Sequence, residues 1–162
     1  MTHASDPVRA QLHALLDTGN AHMGFDAAVA DFPPEAINRT PPNVPYTPWH
    51  LLEHLRITQR DILDYIRDGA YHELEWPREY WPARDATADA AAWHASVQGF
   101  RDDLAALHEI VDTAPDLSAP VRGRDDYPLV RGIITAAAHN AYHIGEFAIL
   151  RQVMGTWPPG HA

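Results

Sequence analysis

The chain lacks cysteine altogether, and it has no long uninterrupted apolar run. Without cysteine there is no disulfide, no zinc–thiolate site and no cysteine nucleophile, so a thiol used in chemistry would come from outside the chain. Apolar stretches stay well short of the ~18–20 residues that a membrane-spanning helix needs. The first residues show no basic region followed by an apolar stretch. We therefore expect no secretory signal and a cytoplasmic location.

Basic residues are also scarce: 12 stand against 22 acidic residues, which gives a formal net charge of −10. Binding to a phosphate backbone depends on clustered Lys and Arg, and the sequence contains no such run, so nucleic-acid binding is not expected. The length of 162 residues and the apolar content of 46% are typical of one globular domain with its own hydrophobic core.

Apolar residues recur at three- and four-residue spacing in four segments, a pattern typical of amphipathic helices. Asp6 and Thr47 are each followed by a proline that suits the first turn of a helix. Gly69 and Gly155 are suitable C-terminal stops. The predicted helices cover residues 7–31, 48–68, 87–112 and 128–154.

The connections between these segments are rich in proline, which occurs 14 times. Residues 33–45 contain five prolines and are predicted to form an extended connection. The aromatic, proline-rich residues 75–82 are expected to pack over the bundle, and residues 112–127 to form a polar loop. No segment alternates with period two for long enough to indicate a strand. The sequence thus predicts an all-α fold: a single-domain four-helix bundle with one long early crossover connection.

Two of these helices carry histidine pairs at i,i+4 spacing, His50/His54 and His139/His143. Residues four apart lie on one face of a helix, where both imidazoles can reach one ion. On the second helix, His54 lies about 100° from the centre of the apolar stripe and His50 about 140°. His54 is therefore the better inward ligand, and we expect His50 to be partly exposed or to support a ligand.

The fourth helix places His139, His143 and Glu146 within about 60° of each other on an otherwise apolar surface. Burying these polar groups without partners is costly, and a metal ion would satisfy all three at once. The alternative is that they hydrogen-bond to other helices. Because His54 faces them, we predict a divalent metal site formed by His54, His139 and His143.

The remaining histidines are expected to be structural or solvated. His13, His94 and His108 each lie one step off the apolar stripe of their helix. His22 falls on the apolar face of the first helix and is expected to be a core histidine with satisfied hydrogen bonds.

Three stretches of the sequence carry a family resemblance: residues 49–56 (WHLLEHLR), 59–63 (QRDIL) and 139–146 (HNAYHIGE). The paired signature, His-Leu on the second helix and His-x-x-x-His-x-Gly on the fourth, resembles the DinB/YfiT-like superfamily. The resemblance implies one four-helix-bundle domain in residues 1–162, with a core at about 6–158, that is often dimeric.

The resemblance further implies a site in which three histidines hold nickel, zinc or a similar ion. The matching positions are His54, His139 and His143. The position after the glycine is often Gln in this superfamily and is Glu146 here. Its role stays open among a ligand, a general base and a residue that orients a ligand.

The superfamily includes metal-dependent enzymes that use a low-molecular-weight thiol, such as mycothiol-dependent isomerases and bacillithiol transferases. One hypothesis is therefore an enzyme that transfers an external thiol to an electrophile or carries out metal-assisted hydrolysis. Three imidazoles leave an open position on an ion, and Glu146 is then the candidate general base.

The alternative is a non-enzymatic, stress-related protein that binds a small molecule or a partner and has a structural or vestigial metal site. The sequence contains no glycine-rich phosphate loop and no Gly-x-Ser-x-Gly elbow, which favours this alternative. Neither hypothesis fixes the metal, because three-histidine sites accept nickel, copper, zinc and cobalt.

Overall fold

The computed structural model describes residues 6–17, 21–67 and 71–160. The described ranges contain five α-helices, one 3₁₀ turn and one short hairpin, in this order: α1 (Pro7–Leu16), α2 (Phe25–Val29), the 3₁₀ turn (Pro34–Ala36), α3 (Pro48–Arg67), α4 (Ala90–Thr113), β1 (Pro120–Val121), β2 (Arg124–Pro128) and α5 (Leu129–Met154). The prediction of an all-α helical bundle is confirmed. None of these helices is both long enough and apolar enough to cross a bilayer.

The helix ends follow the capping residues that the sequence indicates. The Asp6 side chain accepts a hydrogen bond from the Val8 amide at 2.9 Å and caps α1. The α5 helix ends at Gly155, which has the left-handed conformation, φ 63°, that glycine adopts without strain. The predicted stop at Gly69 lies outside the described residues.

The prediction of one continuous first helix is wrong. The α1 helix ends at Leu16, and α2 begins only at Phe25, after Gly24. The intervening sequence is rich in Asp, Asn and Gly, which disfavour helix because of side-chain competition for backbone hydrogen bonds and backbone entropy. The short α2 still buries its apolar side, and Phe25 stacks on Phe100 of α4 with ring centroids 3.8 Å apart.

The prediction of no strand is wrong at one place, in the polar loop before α5. Val121 pairs with Arg124, and the turn between them contains Gly123 at φ 79°. The strands have two and five residues, too short for an alternating pattern to stand out. Val121 is buried and closes one end of the core.

The α3 and α5 helices pack on each other and bury more residues than the other helices, so we call them the two central helices. The α4 helix packs on α3, and α1 packs on α4 and α5. A buried hydrogen bond joins the two central helices: the Asn140 amide donates to Gln59 Oε1 at 2.7 Å. Gln59 in turn donates to the Phe100 carbonyl of α4 at 2.7 Å. These bonds fix the register of the helices beside His139, because a buried amide without its partner is costly.

Candidate metal centre

Three histidines from the two central helices meet at one point. His54 comes from α3, and His139 and His143 come from successive turns of α5. One ring nitrogen from each can be chosen so that the three lie within 4.8 Å of one another. The ring centroids are 4.5–5.2 Å apart. The structure therefore brings together the three histidines predicted as ligands, and the cluster has the size to hold a divalent metal ion.

His54 is held in one orientation by the loop before α4. Its Nδ1–H donates to the Tyr80 carbonyl at 2.8 Å. Trp81 stacks on the imidazole face, with centroids 3.9 Å apart and an interplanar angle of 6°. Because a carbonyl can only accept, Nδ1 carries the proton and Nε2 is left with its lone pair.

His143 is oriented by a carboxylate on its own helix. Its Nδ1 lies 2.6 Å from Glu146 Oε2, one turn further along α5. The other carboxylate oxygen, Oε1, accepts a hydrogen bond from the Tyr46 hydroxyl. A carboxylate on the far nitrogen of an imidazole is the usual partner of a metal-binding histidine, because it fixes the tautomer and raises the basicity of the nitrogen that binds.

These outer partners make the two Nε2 atoms converge. His54 Nε2 and His143 Nε2 lie 3.2 Å apart. If both Nδ1 atoms keep their protons, two lone pairs face each other at this distance and repel. His139 adds a third imidazole, whose buried Nδ1 has no hydrogen-bond partner among the described residues. A cation at this point would remove the repulsion, so the donor set fits a divalent metal.

Burial keeps two of these imidazoles, His54 and His139, uncharged at neutral pH. Loss of hydration lowers the pKa of His54 to about 4, although its bond to Tyr80 opposes the shift. The same effect, helped by the neighbouring histidines, lowers the pKa of His139 to about 3. The neutral form of histidine is the one that binds metals, so the site is ready for an ion at pH 7.

Glu146 is ionised in this setting. Burial by itself raises the pKa of its carboxyl group, but hydrogen bonds with His143 and Tyr46 outweigh burial and lower it. Burial and the nearby carboxylate raise the pKa of Tyr46, which therefore remains a hydrogen-bond donor. Both Glu146 oxygens thus already have partners within the protein.

His50 differs from its sequence-based description. Its side chain is buried, with 5% relative exposure, so the expectation of partial exposure is wrong. Nδ1 lies 2.7 Å from Thr47 Oγ1, and Nε2 lies 3.0 Å from the Ala83 carbonyl. The loop before α4 covers this side of α3, which a helical wheel cannot represent. Both ring nitrogens of His50 are occupied, and it does not belong to the three-histidine cluster.

Reasoning from helical periodicity missed the contacts that orient His54 and His143. Tyr46 lies in the crossover, and Tyr80 and Trp81 lie in the loop before α4. The expectation that the Trp-Pro-rich loop packs over the bundle is confirmed by the contacts of Tyr80 and Trp81 with His54. That expectation was the one signal in the sequence that pointed toward these partners.

Among the other histidines, one prediction is wrong and a second cluster emerges. His22 is exposed rather than buried, since it follows the break after α1. His13 of α1 and His108 of α4 stack with centroids 4.9 Å apart. Their Nδ1 atoms are 2.6 Å apart, and each Nε2 lies 2.8–2.9 Å from a carboxylate, Asp112 or Asp17.

An all-α bundle with a cluster of three histidines on its two central helices defines a class of candidate metalloproteins. The chain matches the DinB superfamily over residues 18–147. It therefore belongs to the DinB superfamily, and the matched region includes all three histidines and Glu146. No curated protein and no solved structure matches the chain.

Proposed function

We propose that the protein binds a divalent metal ion through His54, His139 and His143 and uses it to transfer an external low-molecular-weight thiol to an electrophile. In this reaction a carbon–sulfur bond forms as the bond from carbon to the leaving group breaks, and the thiol proton and the leaving group are released. The observation that carries the proposal is the convergence of His54 Nε2 and His143 Nε2 at 3.2 Å, with His139 beside them. Nickel and zinc are the proposed ions, because both accept imidazole ligands.

The bound ion supplies Lewis acidity, which lowers the pKa of a coordinated thiol or water. The protein supplies the orientation of the ligands. The Tyr80 carbonyl and the Trp81 ring hold His54, and Glu146 holds His143. Because the chain has no cysteine, the thiol comes from a second small molecule.

We propose that Glu146 orients His143 and balances the charge of the site, and that it is not a ligand. The contacts of Oε2 with His143 and of Oε1 with the Tyr46 hydroxyl support this role. A general base needs a carboxylate oxygen that can reach the proton of the reacting group. In Glu146 that oxygen is Oε1, and it becomes accessible if the Tyr46 hydroxyl turns away. Hydrolysis with a water nucleophile would use the same arrangement.

A second candidate is a non-enzymatic, stress-related protein that carries the metal and binds a small molecule or a partner. The observation that favours it is that both Glu146 oxygens are already engaged, so the site presents no free base. A cytoplasmic location remains a prediction under both candidates.

We also propose that the protein forms a homodimer. Support comes from the exposed side of α5, where Tyr142, Ile149 and Val153 are 72%, 65% and 55% exposed. Exposed apolar side chains on one helix face are typical of contact surfaces between proteins. Sedimentation velocity would detect a dimer, and an Ile149→Asp variant should shift it toward monomer. A monomer at all concentrations would contradict this proposal.

The thiol-transfer proposal is tested by assaying the purified protein after loading with nickel or zinc. The assay follows consumption of an aryl halide with glutathione or bacillithiol, in the presence and absence of a chelator. We expect thiol-dependent turnover that the chelator abolishes. Tight metal binding without turnover for any thiol would favour the non-enzymatic candidate, and failure to bind either metal would contradict both.

A further inference from the structure

A cavity of about 460 Å³ lies beside the candidate metal centre, between the end of the crossover and the loop before α4. Its size is in the range of small-molecule sites. Two of its walls are the rings of Tyr46 and Trp81, whose centroids are 5.3 Å apart. Pro45, Pro77 and Pro82 supply further apolar surface.

The two ring walls are shared with the metal centre. Trp81 stacks on His54, and the Tyr46 hydroxyl bonds to Glu146, which holds His143. A molecule in the cavity therefore contacts Trp81, which touches His54 directly, and Tyr46, which reaches His143 through Glu146. This position suits the reactant that meets the metal-activated group, and the inference thus rests on the proposed function.

The charge of the cavity is opposite to that of the chain. The protein carries a net charge of −10 and has no lysine, so all 12 basic residues are arginines. Two of them, Arg78 and Arg84, line the cavity, and no carboxylate of the described residues does. Arg78 is paired with Glu75 at 2.6 Å in an exposed ion pair, which is weak in water.

Arg84 is the more available of the two cations. It has no hydrogen bond or ion pair within the described ranges, whereas Arg56 pairs with Glu53 and Arg101 pairs with Asp26. A guanidinium group binds a carboxylate through two parallel hydrogen bonds. The cavity thus combines ring and proline walls for an apolar body with a cation for an acidic group.

We infer that this cavity binds the electrophilic substrate, and that this substrate is a carboxylate with an aromatic or similarly flat apolar body. The rings of Tyr46 and Trp81 suit a flat apolar group, which glutathione and related thiols lack. Arg84 binds the carboxylate, and Arg78 assists after releasing Glu75.

The experiment uses 2-naphthoate and its uncharged amide, 2-naphthamide, as probes in calorimetric titrations of the full-length protein. Titrations are run with zinc bound and again with a chelator, because a carboxylate can also bind the ion directly. We expect 2-naphthoate to bind in both conditions and at least about 10-fold more tightly than the amide, as charge-assisted hydrogen bonds predict.

Arg84→Gln should weaken 2-naphthoate binding by about 10-fold and leave the amide unaffected. The matched control is Arg122→Gln, an exposed arginine in the turn of the hairpin, and it should change neither affinity. Zinc affinity, measured in parallel, should be the same in both variants, so a failure of metal binding is seen separately from a failure of the cavity.

Three outcomes would overturn the inference. The first is equal binding of the acid and the amide, and the second is an Arg84→Gln variant that binds like the Arg122→Gln control. In the third, 2-naphthoate no longer binds when the chelator removes zinc, which would mean that the carboxylate binds the ion directly. A glutathione titration forms a separate arm: Arg84-dependent binding of glutathione without binding of 2-naphthoate would show that the cavity serves the thiol instead.

Discussion

Two clusters of histidines join helices of this protein, and they satisfy their imidazoles in opposite ways. In the His13–His108 pair, each Nε2 lies beside a carboxylate, and the two Nδ1 atoms are 2.6 Å apart. A carboxylate can only accept, so both Nε2 atoms donate outward, and the two Nδ1 atoms face each other. In the cluster of His54, His139 and His143, the outer hydrogen bonds of His54 and His143 turn their lone pairs inward, and no carboxylate lies between them.

A difference in burial explains why the imidazole nitrogens of the two clusters have different partners. The side chains of His13 and His108 are 28% and 23% exposed, and their Asp partners are more than 60% exposed, so water reaches both ends of this pair. His54 is 2% exposed, and a proton there is costly because the charge loses its hydration. A histidine cluster therefore favours a metal site when its lone pairs converge away from water. Helical spacing alone is not enough to indicate such a site.

The largest effect is expected from removing one ligand of the buried cluster. Alanine at His54, His139 or His143 should weaken nickel and zinc binding by more than about 100-fold. Removing a residue that only hydrogen-bonds to a metal ligand costs up to about 100-fold, and removing the ligand itself should cost more. Calorimetric titration of each variant measures this. The matched control is His13→Ala, which changes the other cluster and should bind metal like the wild type. If His13→Ala lost the metal and His54→Ala kept it, the assignment of the two clusters would be reversed.

The second effect concerns the stability of the metal-free protein at acid pH. His54 and His139 have pKa values below that of an unfolded histidine, about 6.5, so the unfolded chain binds more protons as the pH falls. The contribution of these two neutral histidines to the free energy of unfolding is fully present above about pH 6.5 and is lost progressively toward pH 4. At pH 5 the loss is roughly 1–2 kcal/mol for each histidine.

Urea unfolding at pH 7.5, 6 and 5 in the presence of a chelator tests this dependence. A His54→Gln/His139→Gln variant should lose much of the pH dependence, which separates these residues from the other histidines. Added zinc should make the wild-type curve steeper, because protons and metal compete for the same nitrogens. An unchanged slope in the double variant would contradict the proposed origin.

A smaller effect is expected at Glu146, which orients His143 without binding the metal in our proposal. Glu146→Gln keeps an oxygen that can accept from His143 Nδ1 and should weaken metal binding by about 10-fold. Calorimetric titration with nickel or zinc compares the metal affinity of this variant with that of His143→Ala. A loss as large as that of His143→Ala would mean that Glu146 is itself a ligand.

Helical periodicity sufficed to predict the cluster of three histidines because their spacing is local. His139 and His143 share a face of α5 through their i,i+4 spacing, and the apolar stripe of α3 turns His54 inward. The partners of these histidines come from segments without a period, namely Tyr46 in the crossover and Trp81 in the loop before α4. Their positions depend on tertiary packing, so the sequence predicted that the loop packs over the bundle but not which of its residues contact the histidines.

The errors at the level of the fold have the same origin. The wheel placed His50 toward solvent, but a loop distant in sequence covers it and supplies the Ala83 carbonyl. His22 was assigned to an apolar face because the spacing was extended across a segment rich in glycine, where the helix stops at Leu16. Periodicity is informative only where the helix is continuous and where its neighbours are other helices.

The smallest change in stability is expected from the exposed His13–His108 pair, and this pair also tests whether only the buried cluster binds metal. His13→Gln removes the Nδ1–Nδ1 contact with His108 and should lower the free energy of unfolding by less than about 1 kcal/mol, because water can replace a hydrogen bond between partly exposed polar groups. In a variant with alanine at His54, His139 and His143, zinc should no longer raise the melting temperature, since ligand-induced stabilisation depends on binding to the native state. If zinc still stabilised that variant, and His13→Gln then removed the effect, the exposed pair would bind metal. The distinction drawn from burial and lone-pair direction would then fail, because two partly exposed imidazoles that already bond to carboxylates would have bound an ion.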